Sequence, residues 1–186
     1  MSYTCHSGGC PGSDMTWENE GNKYGVKTIA YSFGGHKQEG KNRVILAIEQ
    51  LNEGFENVLI ANKAVKRYPQ GQARYIQNLL ARNWFQIKNA ESVFAVGKFL
   101  SPKLVSGGTG WAVQMSIDNK KPTFVFDQEG NKWNKFNYVL GEFEVIDYIP
   151  KLTEHFAGVG TRDINDNGIV AIEKILEYNL KSGVVA

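Results

Sequence analysis

The feature that most constrains the fold is a series of short, continuously apolar segments separated by helix-like stretches. The clearest are SVFAVG at 92–97 and PTFVFD at 122–127, and VKTIAYSF at 26–33 is rich in β-branched and aromatic residues. Strands that are apolar at nearly every position are typical of parallel sheets whose two faces are both covered by helices. The sequence therefore predicts an α/β fold with a Rossmann-like parallel sheet.

Helix-like segments alternate with these strands. Helices are predicted at 11–23, within 44–67, at 73–90, at 111–118 and from Asn165 or Asp166 onward. Gly54 indicates two helices within 44–67, because glycine weakens a helix interior. A small β-hairpin insertion is predicted after 122–127, with a turn at 129–131. Since no linker or low-complexity segment interrupts the pattern, we expect one domain spanning 1–186.

Three glycine-rich turns follow predicted strands. They read SGGCPGSD at 7–14, SGGTGW at 106–111 and GVGTR at 158–162. The carboxyl ends of parallel strands meet at one edge of a sheet, so the three turns are expected to lie together. Each turn taken alone is equally consistent with tight strand-to-helix packing and no ligand. Three at one edge favour a phosphate-bearing ligand, because the free amides of helix N-termini bind anions.

The residues expected to contact this ligand come from the turns and from the helix that carries Arg82 and Asn83. Arg162 offers a forked guanidinium suited to phosphate or carboxylate. The turns contribute Ser7, Gly8, Gly9, Gly12, Ser13, Asp14, Ser106, Gly107, Gly108, Thr109, Gly110, Trp111, Gln114, Gly160 and Thr161. Trp17 and Trp111 are candidates to stack on a base, with burial in the core as the alternative.

The segments HSGGCPGSD, VSGGTGWAVQ and FAGVGTR resemble the turns of the SLOG superfamily. This superfamily includes the cytokinin-activating phosphoribohydrolases called lonely guy, the DprA-type DNA-processing proteins and several nucleotide-sensing domains. A branch of it with LLARNW and GGTGWAVQM segments is more similar still. The resemblance implies a Rossmann-like fold that binds nucleotides or their ribose-phosphate portions.

The order of the segments differs from the usual order in that superfamily. There, the strand leading to a G-S-R turn generally comes first, whereas the corresponding GTR turn comes last here. Joining Ala186 to Met1 would restore the usual order, so the resemblance implies a circular permutation. The alternative is that the last strand and helix exchange with a neighbouring subunit, which would give a homo-oligomer, most simply a dimer.

Related phosphoribohydrolases carry a P-G-G-x-G-T-x-x-E motif whose glutamate serves hydrolysis of the N-glycosidic bond. Alignment of GGTGWAVQ with this motif puts Gln114 at the glutamate, and a glutamine is neither a general base nor a stabilising carboxylate. Asp14, Glu18 and Asp127 are the candidate replacement acids, and Asp14 is also a candidate helix cap.

The leading hypothesis is therefore a protein that binds a nucleotide or a nucleotide-derived signal, ADP-ribose-like or cyclic, without turning it over. Sensing or sequestering a defence second messenger would be its role. Two alternatives stay open: a nucleoside-monophosphate N-glycosidase, and a DprA-like binder of single-stranded DNA.

The amino-acid composition limits the kinds of partner that this chain is expected to bind. The chain has 21 basic and 19 acidic residues, a net charge of +2, which gives no broad basic surface for nucleic acid.

We find neither a secretory signal nor a membrane-spanning run. Cys5 and Cys10 are too close together for a disulfide between them to stabilise a fold, so a reduced, cytoplasmic protein is expected. Cys5, His6 and Cys10 are too few for a zinc site, and no metal or cofactor is expected. His36 is a candidate ligand contact or a surface histidine.

Overall fold

The structure is a computed structural model that describes residues 2–181. Its strands are β1 (Thr4–Ser7), β2 (Lys27–Ser32), β3 (Arg43–Ile45), β4 (Ser92–Gly97), β5 (Phe99–Ser101), β6 (Leu104–Val105), β7 (Thr123–Asp127), β8 (Lys132–Asn137), β9 (Glu142–Val145) and β10 (His155–Gly160). Its α-helices are α1 (Ser13–Asn22), α2 (Ile48–Val65), α3 (Arg74–Lys88), α4 (Gly107–Asp118) and α5 (Asp166–Leu180), with a short 3-10 turn at Pro69–Gly71 between α2 and α3.

Eight of these strands form one sheet in the order β3-β2-β1-β10-β4-β7-β8-β9. The first six run parallel, β8 pairs antiparallel with β7, and β9 pairs antiparallel with β8. This is the predicted α/β, Rossmann-like architecture. The predicted turn at 129–131 joins β7 to β8 in an antiparallel hairpin, to which β9 adds a further strand, and the separate hairpin of β5 and β6 was not predicted from the sequence.

Helices cover both faces of the sheet, as the continuously apolar strands require. Alternate residues of β4 point to opposite sides, so that Val93 and Ala95 belong to one core cluster while Phe94 and Val96 belong to the other. The first cluster takes its helical residues from α2, α3 and α4, and the second takes them from α1 and α5. A strand buried on both faces cannot alternate apolar and polar residues, which explains its sequence.

The region 44–67 differs from its sequence-based interpretation. Val44 lies in β3, a three-residue strand at the edge of the sheet, and α2 is one continuous helix through Gly54. A Cβ at Gly54 would lie 2.2 Å from the carbonyl oxygen of Ala81 on α3. Glycine is therefore present at this position because α2 and α3 approach each other closely, not because the helix breaks.

The end of α5 and the start of β1 lie beside the same segment of chain. The amide of Thr4 donates to the carbonyl oxygen of Glu154 at 2.7 Å, and the side-chain oxygen of Asn179 accepts from the amide of Leu152 at 3.0 Å. Both ends thus meet at one end of the sheet, as a circular permutation would need. β10 pairs with β1 and β4 of its own chain. Across residues 2–181, no helix has the length and apolar character needed to cross a membrane.

Candidate functional site

A cavity of about 620 Å³ lies where the three glycine-rich turns come together. The first turn contributes Cys10 and Asp14, and the third contributes residues 160–162. The second turn contributes Ser106, Gly107, Gly108, Thr109 and Trp111. The turns follow β1, β6 and β10, and the cavity opens at the edge of the sheet that holds the carboxyl ends of β1 and β10, where ligands bind in open α/β sheets.

The α4 helix presents its N-terminus to this cavity. Ser106 occupies the N-cap position without a side-chain hydrogen bond to the helix, and Gly107 has a φ of 65° that favours glycine. Among the described atoms, a Cβ built on Gly107 or on Gly108 would meet nothing within 4 Å. Neither the backbone conformation nor packing therefore requires a glycine at position 108. The absence of a side chain there leaves open space beside the first amides of α4.

Other predicted residues of this turn have packing roles instead. A Cβ at Gly110 would lie 2.0 Å from the carbonyl oxygen of Val105, so this glycine lets α4 pack against β6. The side-chain amide of Gln114 donates to Asp118 at 2.9 Å along the same helix, and Gln114 is not among the residues lining the cavity. Gly110, like Gln114, is not among the residues that line the cavity.

Most of the first turn is used to assemble the site rather than to line it. A Cβ at Gly8 would overlap the Arg82 guanidinium, and one at Gly9 would lie 2.0 Å from the side-chain oxygen of Gln38. Gly12 has a φ of 90°, and a Cβ there would lie 2.3 Å from the carbonyl oxygen of Arg162. Ser7 is fully buried below the turn. The bare backbone that suggested anion contacts at these positions instead allows close contact within the protein.

Two polar residues of α3 face the cavity, as expected. Arg82 and Asn83 are both buried and both line it. One Arg82 nitrogen, Nη1, lies 3.8 Å from a carboxylate oxygen of Asp14, and Nη2 donates to the sulfur of Cys10 at 3.2 Å. Arg82 Nε has no partner among residues 2–181, so this buried cation retains a free donor.

Asp14 is the one candidate acid that lines the cavity. Its carboxylate accepts from the Cys10 amide at 3.2 Å and does not cap α1. Burial raises the pKa of Asp14, and the nearby Arg82 opposes that rise. The other two candidates lie elsewhere: Glu18 accepts from the amide of Lys41 at 3.1 Å, and Asp127 accepts from amides in the turn between β7 and β8.

The cavity wall combines cationic and apolar groups. Arg67 and Arg162 line it together with Arg82, and the Arg67 guanidinium donates to the carbonyl oxygen of Gly107 at 3.1 Å. The apolar part of the lining is Tyr68, Pro69, Ile76, Leu79, Leu80, Trp111, Ala112 and Val159. Trp111 lines the cavity while being 3% exposed and packed in the core, whereas Trp17 is fully buried against Phe156 and does not line the cavity.

Sequence reasoning missed the segment between α2 and α3. Arg67, Tyr68, Pro69 and Gln72 line the cavity, and none of them was predicted as a site residue. Residues brought to a site by a turn between helices carry no periodic pattern, so nothing in this stretch identified it. Ile76 of α3 also lines the cavity and is exposed.

No family model matches the chain, and no curated protein is similar enough in sequence to be matched. Among solved structures, a candidate molybdenum carrier protein from Syntrophus aciditrophicus matches over 95% of this chain and 93% of that chain, with a TM-score of 0.47 and 14% sequence identity. A similarity this distant assigns neither a family nor a ligand.

Proposed function

We propose that the cavity binds a nucleotide or a nucleotide-derived signal through its phosphate and sugar. The observation that carries this proposal is the N-terminus of α4, which begins at Gly107 beside open space and without a side-chain cap. The first amides of an α-helix have no partner within the helix, and together with the helix dipole they favour a phosphate.

The charge of the cavity supports an anionic ligand. Three arginines, Arg67, Arg82 and Arg162, line it with a single carboxylate, Asp14. Because burial raises the pKa of Asp14, this carboxylate offsets the positive charge less than an exposed one would. An excess of positive charge in a concave wall attracts anions and strengthens their hydrogen bonds.

The apolar lining supports a ligand that is larger than phosphate alone. Tyr68, Leu79 and Trp111 offer aromatic and aliphatic surface in the same cavity as the arginines. A nucleotide presents a planar base and an anionic phosphate together, which matches this combination. The volume of about 620 Å³ lies within the range typical of small-molecule sites, roughly 300–1,000 Å³.

Calorimetric titration tests the proposal when whole ligands are compared with their halves. AMP, ADP-ribose and a cyclic dinucleotide are titrated beside adenosine and ribose 5-phosphate. We expect at least one whole nucleotide to bind more tightly than either half, since both parts of the lining are then occupied. Absence of binding by every member of the panel at millimolar concentration would reject the proposal.

A second function is favoured by Asp14. It is a buried carboxyl group in the cavity whose pKa is raised by desolvation, and a raised pKa favours the role of general acid. This matches the requirement of N-glycosidic bond cleavage, in which a departing base must be protonated. Release of free base from a nucleoside monophosphate, lost in Asp14→Asn while binding persists, would establish this activity. Binding without release of any base would reject this activity and support the binding function only.

A further inference from the structure

Cys10 lines the cavity and also contacts two polar side chains, those of His36 and Arg82. Its sulfur is 3.5 Å from Nε2 of His36 and accepts a hydrogen bond from Nη2 of Arg82 at 3.2 Å. The thiol is free, with no disulfide. None of these contacts is needed to bind a nucleotide.

The imidazole of His36 is held in one orientation. Nδ1 lies 3.0 Å from the Ser32 hydroxyl, and the ring stacks on Phe33 with centroids 4.8 Å apart and planes 9° apart. When Nδ1 carries the hydrogen and donates to Ser32, Nε2 is left to accept a proton from the thiol. Burial, together with the charges of Arg82, Arg162 and Arg43, lowers the pKa of His36 to about 4, so the ring is neutral at pH 7 and only weakly basic.

A buried cation also lies beside the sulfur. Arg82 is only 6% exposed, and its guanidinium donates a hydrogen bond directly to the sulfur. Arg162 lines the same cavity, and its charge acts on both Asp14 and His36. A thiol beside a cation and a histidine is the arrangement in which cysteines become nucleophiles.

We propose that Cys10 is a nucleophilic thiol that reacts with small anionic carbon electrophiles bound in the cavity. In this step the thiol proton moves to Nε2 of His36, and the sulfur lone pair forms a bond to the electrophilic carbon. The leaving group departs with the electron pair of the bond that breaks, and the imidazolium then releases its proton to water. Arg82 donates a hydrogen bond to the sulfur, and the arginines of the cavity attract the anionic reagent.

Cys5 provides an internal control for this reactivity. It lies on β1, fully buried in the core beside Trp17 and Gly158, and does not line the cavity. Burial raises the pKa of the Cys5 thiol far above its usual range. The two cysteines therefore differ in access, in nearby cations and in the presence of a base.

The test compares an anionic with a neutral alkylating reagent on the native protein. Rates of modification by iodoacetate and iodoacetamide are followed at Cys10 and Cys5 by peptide mass mapping, beside a synthetic peptide of residues 8–15. We expect Cys10 to react and Cys5 to remain unmodified, with an iodoacetate-to-iodoacetamide rate ratio roughly tenfold or more above that of the peptide, because the cationic cavity concentrates the anion. Equal reactivity of the two cysteines, or a ratio equal to that of the peptide, would overturn the proposal.

Two variants separate the roles of base and charge. His36→Ala should lower the rates with both reagents by about tenfold or more and leave their ratio unchanged, because the base is lost but the cations remain. Arg162→Gln, at an exposed position, should lower the iodoacetate rate more than the iodoacetamide rate and so lower their ratio. If His36→Ala leaves both rates unchanged and Arg162→Gln leaves their ratio unchanged, the roles assigned to these residues are wrong, even where Cys10 reacts. AMP binding is measured on the same samples, so that a reactive Cys10 without AMP binding, or the reverse, distinguishes this inference from the proposed function.

Discussion

The amide and the hydroxyl of Ser13 both donate to the carbonyl oxygen of Thr161, at 3.0 and 2.8 Å, and so join the first glycine turn directly to the third. These two residues are 148 positions apart in the chain. The contact places α1 against the end of β10 and leaves no room for a side chain at Gly12. The first turn therefore assembles the cavity, whereas the second turn and the arginines face its interior.

Gly12→Ala is expected to destabilise the protein. The residue has a φ of 90°, and the added Cβ would lie 2.3 Å from the carbonyl oxygen of Arg162, so backbone strain and overlap combine to cost roughly 1–3 kcal/mol or more. Denaturant unfolding measures this loss. Gly25→Ala is the matched control, because Gly25 has a φ of 73° with open space around its Cβ position. A loss no larger than that of the control would show that the contact between the turns is not tight.

Gly108→Ala is expected to stabilise the fold and weaken the ligand. Alanine in a helix is favoured over glycine by about 0.5–1 kcal/mol, and nothing in the described structure lies within 4 Å of the new methyl group. The methyl group would, however, occupy the open space beside the first amides of α4. Thermal unfolding and calorimetry on the same variant measure both effects. Higher stability with unchanged affinity would remove the α4 N-terminus from the ligand site.

Arg162→Ala is expected to weaken an anionic ligand by about 1.5–3 kcal/mol, the range of hydrogen bonds to charged groups. Its affinity should also become less sensitive to salt, because one cation is lost. Arg74→Ala is the control, since Arg74 is an exposed arginine of α3 that bonds Asn52 and does not line the cavity. Equal effects of the two substitutions would indicate a general charge effect and not a contact with ligand.

The stability of the protein is expected to fall as the pH drops from about 6.5 towards 4. Burial is the first cause that lowers the pKa of both His6 and His36 to about 4, whereas an unfolded histidine titrates near 6.5. Between these values the unfolded chain binds more protons than the native one, so the free energy of unfolding decreases with falling pH. His6→Gln should flatten this dependence in urea unfolding measured across the range. An unchanged slope would mean that His6 remains solvated in the folded state.

The fold was predictable because burial on both faces dictates residue type. β4 and β7 are apolar at almost every position, which can only suit a covered parallel sheet, and the glycine turns mark where these strands end. β3 was missed because its three residues are all exposed and lie at the edge of the sheet, where packing imposes no pattern.

The location of the site could be predicted from the sequence better than the identity of the residues that line it. Glycine is used both where a ligand approaches and where protein backbones approach each other, and the sequence is the same in both cases. Gly108 faces open space while Gly8 and Gly12 face Arg82 and Arg162, a difference that only the tertiary contacts reveal. Gln114 was placed at the site by alignment to a motif, yet its side chain turns along α4 to Asp118.

The most direct test of the account is a crystal structure of the protein with millimolar AMP or ADP-ribose. The account predicts phosphate oxygens within hydrogen-bond distance of the Gly108 and Thr109 amides, with Arg162 on the same phosphate and the base near Trp111. A ligand bound elsewhere on the molecule, or this cavity empty at saturating ligand, would contradict it.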